Sequence, residues 1–245
     1  GTQIGRDAEV LAGSAVSGRV PARERWSGSP ARRVSKAKPP WPEERPPRRP
    51  IWVLAYGAAS GAMALLPLIA AAVGGAVLGW AVRDADDLGS ALVRALVAVP
   101  VATVAGLVTL ALLTLAGVRL LGIGVREGTF AVRSRIGWQV WATERLLDAA
   151  RTQLFPMYAS LITPWWLRAL GAKIGSGVEA STVLLLPKMT AVGDGAFLAD
   201  DTMIASYELG GGWLRIDHAK VGKRAFLGNS GMAAGGRSVP KNGLV

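Results

Sequence analysis

The stretch KIGSGVEASTVLLLPKMTAVGDGAFLADDTMI, residues 173–204, decides the fold. It places an apolar or small residue at every sixth position, namely at Ile174, Ala180, Leu186, Val192, Leu198 and Ile204. After an interruption, the same period resumes with Val221, Leu227, Ala233, Val239 and Val245. A period of six is typical of a parallel β-helix, whose triangular coil has three six-residue faces with one inward side chain each. We therefore predict that residues 173–245 form the N-terminal part of a β-helix domain.

The interruption covers residues 205–220 and contains YELGGGW at 207–213. We predict a loop that protrudes from one corner of the coil, and such excursions on a rigid scaffold often carry function. The three glycines are not a phosphate-binding loop, because no Lys-Ser or Lys-Thr pair follows them.

A shorter trace of the same period appears at the beginning of the chain, where Ile4, Val10 and Val16 are six residues apart. We predict that residues 1–34 are the C-terminal end of another β-helix domain. Because the pattern is present from Gly1 and still running at Val245, we expect the chain to be a piece of a larger protein.

Residues 35–50 are predicted to be a basic linker that is rich in proline. Pro39-Pro40-Trp41-Pro42 and Pro46-Pro47 disfavour a helix and favour extended polyproline conformations. The linker either docks an acidic carrier protein or contacts the lipid surface, and we favour the lipid.

Two apolar segments predict a transmembrane hairpin over residues 51–122. Residues 51–82 contain no charged side chain, and residues 88–118 form a second apolar run, whereas a span requires about 20 residues. Several glycines suggest close packing between the helices: Gly57, Gly61, Gly74, Gly75 and Gly79.

The charges predict the orientation of the hairpin. Arginines and lysines crowd the segment before the first span, Arg119 and Arg126 follow the second, and the turn at residues 83–87 is acidic. The positive-inside rule places both flanks in the cytoplasm. We therefore predict a multi-pass protein of the cell membrane with cytoplasmic globular segments.

Residues 123–172 are predicted to be interfacial helices that lead into the second β-helix domain. A helix over about 137–154 would alternate aromatic and basic side chains, as suits a bilayer surface. Packing of this helix against the coil is an equally good interpretation, and the two are compatible.

Composition narrows the possible chemistry. The net charge is +11, and its placement beside the apolar block indicates a membrane rather than a nucleic-acid partner. Cysteine is absent, which excludes a thiol nucleophile and a cysteine metal site. His218 is the only histidine, which excludes a metal site built from several histidines. The fold class is therefore a mixed membrane protein, mainly β outside the helical hairpin.

Three stretches resemble the hexapeptide acyltransferase superfamily, namely GSAV at 13–16, WSGSPAR at 26–32 and WLRALGAKIG at 166–175. The resemblance implies left-handed parallel β-helix segments and acyl transfer from coenzyme A or a related thioester.

The whole arrangement resembles a narrower family, the C-terminal membrane region of ε-poly-L-lysine synthetase-type nonribosomal peptide synthetases. The resemblance rests on LFPMYAS at 154–160, EAST at 179–182, FLADDTM at 197–203, YELGGGW at 207–213 and RAFLGNSGM at 224–232. It implies amide or isopeptide formation from a phosphopantetheine thioester presented by a carrier domain. It also implies upstream adenylation and carrier domains, neighbouring β-helix domains and membrane lipid as partners, with no cofactor bound directly.

Aminolysis of a thioester requires a base for the protonated amine and a donor for the oxyanion. The candidate catalytic residues are His218, Asp201, Glu179 and Asn229, and the candidate substrate-binding residues are Asp200, Ser230 and Tyr207. If Asp200 and Asp201 lie on a strand, only one of them faces a cleft, because adjacent side chains point to opposite faces.

Two other functions remain open: a membrane scaffold without catalysis, and a coenzyme A-dependent hexapeptide acyltransferase. Since both β-helix segments are expected to be incomplete, we expect this piece to be inactive on its own.

Overall fold

The computed structural model describes residues 1–11, 14–38 and 41–245. Ala12, Gly13, Pro39 and Pro40, which include part of the predicted proline run and of the GSAV stretch, lie outside the described residues. The fold mixes helices with mainly parallel sheets. Two compact units, Gly1–Arg45 and Pro46–Val245, are described separately.

The described residues of the first unit form five short strands: β1 Gln3–Ile4, β2 Glu9–Val10, β3 Arg19–Val20, β4 Glu24–Ser27 and β5 Arg32–Lys36. β1 pairs in parallel with β3 and β2 with β4, whereas β5 returns antiparallel to β4. The antiparallel return ends the parallel pairing of this unit.

The strict period of six is wrong for the first unit. A coil with three six-residue faces would place Ala22 beside Ile4, but the register places the fully buried Val20 there. Val16 belongs to no strand, and Gly18 turns the chain at a φ of 85°. The coil is shorter than predicted because a glycine in the left-handed region allows a tighter turn.

The second unit begins with two long helices, α1 Ile51–Val82 and α2 Leu88–Leu121. Both are long and apolar enough to cross a membrane, and few of their side chains are buried. The Asp87 side chain caps α2 by accepting a hydrogen bond from the Ser90 backbone N–H at 2.8 Å. The two predicted apolar segments are therefore helices, and the acidic turn separates them.

Glycine allows close packing at two points of the helix pair. A side chain at Gly74 would lie 3.0 Å from the Ala102 carbonyl oxygen, and one at Gly106 would lie 3.1 Å from that of Ala70. Of the predicted packing glycines only Gly74 lies at the contact, and an added Cβ would meet open space at the others, Gly57, Gly61, Gly75 and Gly79.

The rest of the second unit contains two further helices and thirteen strands. They are β6 Gly128–Ala131, α3 Arg135–Gln153, α4 Thr163–Leu170, β7 Lys173–Ile174, β8 Glu179–Ala180, β9 Val183–Leu185, β10 Thr190–Val192, β11 Phe197–Leu198, β12 Thr202–Ala205, β13 Tyr207–Gly210, β14 Trp213–Ile216, β15 Ala219–Val221, β16 Phe226–Leu227, β17 Met232–Ala234 and β18 Ser238–Val239.

The chain contributes one strand to each of three parallel sheets in turn, so the strands form successive three-sided coils. Face 1 is β7-β10-β15-β18, face 2 is β8-β11-β16 and face 3 is β9-β12-β17. In face 1, Val192 pairs with Ile174 and Val221 pairs with Val239, each pair being separated by three six-residue repeats. These side chains are buried together with Leu198 and Leu227 of face 2, in agreement with the predicted inward phase.

Leu186 is an exception to that phase. On face 3, Leu185 pairs with Ile204 and packs against the main core. Leu186 instead lies in a second apolar cluster with Val140 of α3 and Leu214 of β14. β9 ends at Leu185 and a short 3₁₀ turn begins at Pro187, so the chain leaves the coil one residue earlier than predicted.

The interruption is a β-hairpin rather than the predicted loop. β13 pairs antiparallel with β14, and β14 pairs antiparallel with β6 from the segment after α2. Gly211 and Gly212 form the hairpin turn at φ values of 59° and 85°, which side chains disfavour. The excursion is rigid because it forms the centre of a three-stranded sheet.

The predicted helix over 137–154 is α3, which is hydrogen-bonded to α1 and to the segment just after α2. Trp138 Nε1 donates to the Ala55 carbonyl of α1 at 3.1 Å, and Gln139 Nε2 donates to the Ile123 carbonyl just after α2 at 2.8 Å. One face of α3 is buried, which confirms that it packs within this unit.

Candidate functional site

An acidic corner forms where the chain passes from face 2 to face 3. Asp200 and Asp201 lie there, both exposed to solvent. One coil earlier, the Thr182 hydroxyl lies 3.2 Å from Asp200 Oδ1 and 3.3 Å from Asp201 Oδ1. The Asp201 backbone N–H also donates to Thr182 Oγ1 at 3.0 Å. Two carboxylates are therefore held against one hydroxyl.

The strand geometry under which only one of these carboxylates would face a cleft does not apply here. Asp200 and Asp201 lie between β11 and β12, and Asp201 has a φ of 51°. The left-handed conformation removes the alternation of a strand and lets both carboxylates reach Thr182.

The corner stabilises negative charge. The Ser181 hydroxyl donates to Asp200 Oδ1, and with the Thr182 hydroxyl it lowers the pKa of the Asp200 carboxyl below its usual value. Hydrogen bonds to a carboxylate favour its ionised form. A concentrated anionic surface on this exposed corner suits a cationic ligand.

Asn229 and Ser230 occupy the same corner one coil later. The Ser230 backbone N–H donates to the Asp200 carbonyl at 3.0 Å, and Ser230 repeats the left-handed conformation with a φ of 57°. Both side chains are exposed. The two predicted polar pairs, Asp200-Asp201 and Asn229-Ser230, therefore stack along one edge with Ser181-Thr182, although donation from Asn229 or Ser230 to an oxyanion stays a prediction.

Glu179 lies on the outward side of face 2, next to the acidic corner. It pairs in register with Phe197, whose ring stacks on Phe226 with centroids 5.4 Å apart. Both rings are partly exposed. Glu179 thus adjoins an exposed aromatic surface that the sequence analysis did not single out.

His218 lies on a different edge, where β14 passes to β15 between face 3 and face 1. Its Nδ1 is 2.5 Å from Glu127 Oε1, and the same oxygen accepts the His218 backbone N–H at 3.2 Å. The hydrogen bond from the imidazole is the largest cause that lowers the pKa of the Glu127 carboxyl. Glu127 is therefore an anion that orients the ring.

This pair has the geometry of a base with its orienting group. An ionised carboxylate only accepts hydrogen bonds, so Nδ1 donates to it, and Nε2 is the acceptor in the neutral form of the ring. Many enzymes use a carboxylate in this way to fix the tautomer of a catalytic histidine. The two side chains are about half exposed, so substrate can reach them.

Glu127 escaped the sequence analysis because it lies far from His218 along the chain. It directly precedes β6, and β6 pairs with β14 so that Gly128 faces Ile216. An acidic residue beside a strand is a weak signal, and only the tertiary pairing brings it to the histidine.

Tyr207 lies away from both edges. Its hydroxyl donates to Glu144 Oε1 of α3 at 2.6 Å, and burial and this carboxylate raise the pKa of the Tyr207 phenol. The pair lines a cavity of about 170 Å³ between α3 and face 3, together with Arg151 and Met203. Tyr207 ties the hairpin to α3, and its predicted substrate contact stays a prediction.

The predicted site residues therefore fall into separate groups. Asp200, Asp201, Asn229 and Ser230 share one edge, Glu179 adjoins it, and His218 and Tyr207 lie elsewhere. Within residues 1–11, 14–38 and 41–245, no group of three or more His, Asp or Glu side chains is placed to hold a metal ion.

Comparison with known proteins gives one informative relative. The chain is 30% identical, over 242 residues, to the Delta-poly-L-ornithine synthetase of Acinetobacter baumannii (strain AB307-0294). The match covers 92% of this chain but only 18% of that protein. No family model and no solved structure matches the chain. The chain thus spans less than a fifth of the length of the curated relative that it matches, and the specific poly-lysine family is not confirmed.

Proposed function

We propose that the chain is part of a membrane-bound nonribosomal peptide synthetase that joins amino acids through amide or isopeptide bonds. The observation that carries this proposal is the similarity along nearly the whole chain to a synthetase whose name denotes a polymer of ornithine. Ornithine carries a side-chain amine, so its polymerisation requires the handling of cationic amines.

We further propose that the three-sided coils are hexapeptide repeats of a left-handed β-helix, as in acyltransferases. The three parallel sheets and the inward rows six residues apart support this assignment. In this proposal, residues 1–34 end one such domain, residues 35–50 are the linker, and residues 173–245 begin the next domain. The hairpin at 51–122 and the helices at 123–172 join them.

The proposed location is the cell membrane, with α1 and α2 as two spans and the globular segments in the cytoplasm. Basic residues flank the helix pair, whereas Asp84, Asp86 and Asp87 lie in its turn. Because translocated loops carry fewer cations, this distribution favours a cytoplasmic position for the flanks.

The proposed reaction is aminolysis of a carrier-bound aminoacyl thioester. An ammonium of the acceptor loses a proton to Nε2 of His218, and the neutral amine attacks the thioester carbonyl. The new C–N bond forms, the C–S bond breaks, and the phosphopantetheine thiol leaves with a proton. Glu127 would stabilise the imidazolium that forms, as acid–base catalysis requires.

The acidic corner would bind the cationic acceptor, with Asp200 and Asp201 facing its ammonium groups. Glu179 would add a third carboxylate beside the exposed rings, and Asn229 or Ser230 would donate to the developing oxyanion. Since His218 lies on another edge, we propose that a neighbouring β-helix domain of the same chain completes each site. Upstream adenylation and carrier domains and membrane lipid are the other proposed partners.

The test is product formation by the full-length protein that contains this chain, with Ala at His218, Asp201 or Glu179. Asp86→Ala in the turn between the helices is the matched control, because it removes one exposed carboxylate far from the coil. We expect the site variants to lose product and the control to keep it. Parent rates in all three site variants would overturn the assignment.

A second candidate is a scaffold without catalysis. It is favoured by the separation of His218 from the acidic corner, because one coil by itself assembles no complete site among the described residues. The distinguishing experiment adds an aminoacylated carrier protein to the C-terminal membrane region of the full-length protein, prepared without the upstream domains. Bond formation there rejects the scaffold, whereas binding of the carrier without bond formation supports it.

A further inference from the structure

A cavity of about 290 Å³ lies at the C-terminal end of α2, where this helix meets α4 and the coil. Its wall is apolar at Val118, Ile123, Leu170 and Leu186, and it also contains the cations Arg119 and Lys188. Among the described residues, those that line it include no carboxylate. The cavity therefore combines two positive charges with an apolar wall.

Both cations are held in place by backbone carbonyls. Arg119 Nε donates to the Ala169 carbonyl of α4 at 2.5 Å, and Lys188 Nζ donates to the Gly122 carbonyl that follows α2 at 2.8 Å. A guanidinium carries five N–H donors and an ammonium three, so each group keeps donors for an anion. The two charges are thus pre-positioned at the cavity by these hydrogen bonds.

The position of the cavity indicates the source of that anion. In the membrane location proposed above, on which this inference rests, α2 spans the bilayer and its C-terminal end lies near the lipid headgroups. Beyond the cavity, α2 presents exposed apolar side chains such as Leu112 and Leu120, along which an acyl chain can lie.

A second, independent feature places this region against lipid. The segment that leads into α4 exposes large apolar side chains: Phe155, Leu161, Ile162 and Trp165, of which Leu161 is 91% exposed. The Arg168 guanidinium lies over the Trp165 ring at 4.8 Å. Tryptophan beside arginine is typical of the membrane–water interface, where the ring enters the headgroup layer.

We propose that this cavity binds the phosphate and glycerol of an anionic phospholipid, with Arg119 and Lys188 contacting the phosphate. The volume is too small for a whole lipid, so the acyl chains lie outside along α2. Bound lipid would fix the end of the second helix against α4 and the coil. This site is separate from the acidic corner and requires no catalysis.

The test is hydrogen exchange measured by mass spectrometry on the full-length protein in detergent micelles. Micelles doped with phosphatidylglycerol are compared with micelles doped with phosphatidylcholine, and inorganic phosphate and glycerol phosphate are added in separate arms. We expect phosphatidylglycerol to slow exchange several-fold in peptides that cover residues 118–124, 168–172 and 186–190. Phosphatidylcholine and the two soluble phosphates should have little effect.

Variants assign the effect to the two cations. The Arg119→Gln/Lys188→Gln protein should lose the preference for phosphatidylglycerol, and each single variant should lose part of it. The charge-keeping Arg119→Lys/Lys188→Arg protein should retain it. Lys173→Gln/Lys220→Gln is the matched control, because it removes two exposed cations from face 1 and should behave as the parent.

Three results would overturn the proposal. Equal protection by phosphatidylcholine would remove the anionic preference, and equal protection by inorganic phosphate would identify a site for a soluble anion. Retention of the full effect in the Arg119→Gln/Lys188→Gln protein would place the lipid elsewhere. None of these results depends on peptide synthesis, so a failure here is distinguishable from a failure of the proposed function.

Discussion

Two edges of the same coil carry the candidate chemistry, and they are built in different ways. The acidic corner consists of residues stacked at one corner in successive coils, so the repeat itself positions Thr182, Asp200 and Ser230. The histidine edge requires an inserted hairpin and a carboxylate from a distant segment, Glu127 beside His218. The repeat places polar side chains in a row by stacking, whereas the orientation of the imidazole depends on an inserted hairpin.

The largest expected effect is at the histidine edge. His218→Gln in the full-length protein should reduce the rate of amide formation by roughly 10²-fold, since that is the usual contribution of a general base. The rate is measured with saturating acceptor amine and loaded carrier. Glu127→Gln should cause a smaller loss because the amide still contacts the ring.

The control for the histidine edge is Glu208→Gln, which removes an exposed carboxylate of the same hairpin from its ion pair with Arg215. It should leave the rate near that of the parent. An unchanged rate in His218→Gln would exclude the histidine as the base and leave the two edges without a catalytic difference.

The acidic corner should affect binding more than turnover. Asp200→Asn/Asp201→Asn should raise the KM for the amine acceptor about tenfold, with a smaller change in kcat. Steady-state kinetics over a range of acceptor concentrations measure both quantities. The control is Asp84→Asn/Asp86→Asn in the turn between the helices, and a fall in kcat without a change in KM would contradict the binding role.

Substitution of Tyr207 tests whether the hairpin supports the structure of the histidine edge. Tyr207→Phe removes a hydrogen bond to Glu144 and should lower the free energy of unfolding by about 1 kcal/mol, as measured by thermal unfolding. Glu144→Gln keeps an acceptor and should cost less. A large loss of rate in stably folded Tyr207→Phe would instead support the predicted substrate contact.

The smallest expected effect is the pH dependence of stability at the acidic corner. The pKa of Asp200 is lowered in the folded state, mainly by the Ser181 hydroxyl. The resulting stabilisation is fully present above the unfolded value of about 3.9 and disappears as the pH falls through the lowered pKa. The parent should therefore exceed Ser181→Ala/Thr182→Val in stability above about pH 4, and this part of the difference should vanish in stronger acid. A difference that does not change with pH would exclude the charge effect.

Much of the fold follows from local patterns. The helix boundaries at Ile51 and Val82 coincide with the ends of the uncharged run, and the inward positions before and after the inserted hairpin each follow the period of six. Leu186 departs from its predicted place because a second apolar cluster outside the coil competes for it. The hydrophobic pattern of the sequence does not distinguish the core of the coil from the apolar cluster beside it.

The candidate site was less accessible to sequence reasoning. His218, Asp200 and Asp201 were predicted from the residue types that the chemistry requires. The sequence did not show that the two aspartates share one edge of the coil while His218 lies on another. The alternation rule of strands does not apply at Asp201, which lies between β11 and β12 and has a positive φ. Glu144 was missed because its partner Tyr207 lies on a hairpin that the sequence analysis took for a loop.

The sequence by itself determined the two apolar helices, the repeating inward rows and the placement of basic residues around the helix pair. These properties depend on the order of residues along a helix or a coil, where neighbours in space are also regular neighbours in sequence. Only the tertiary structure decided that Glu127 orients His218 and that Arg119 and Lys188 face one cavity. Each of these pairings joins segments far apart in the chain, and no local periodicity encodes their distance.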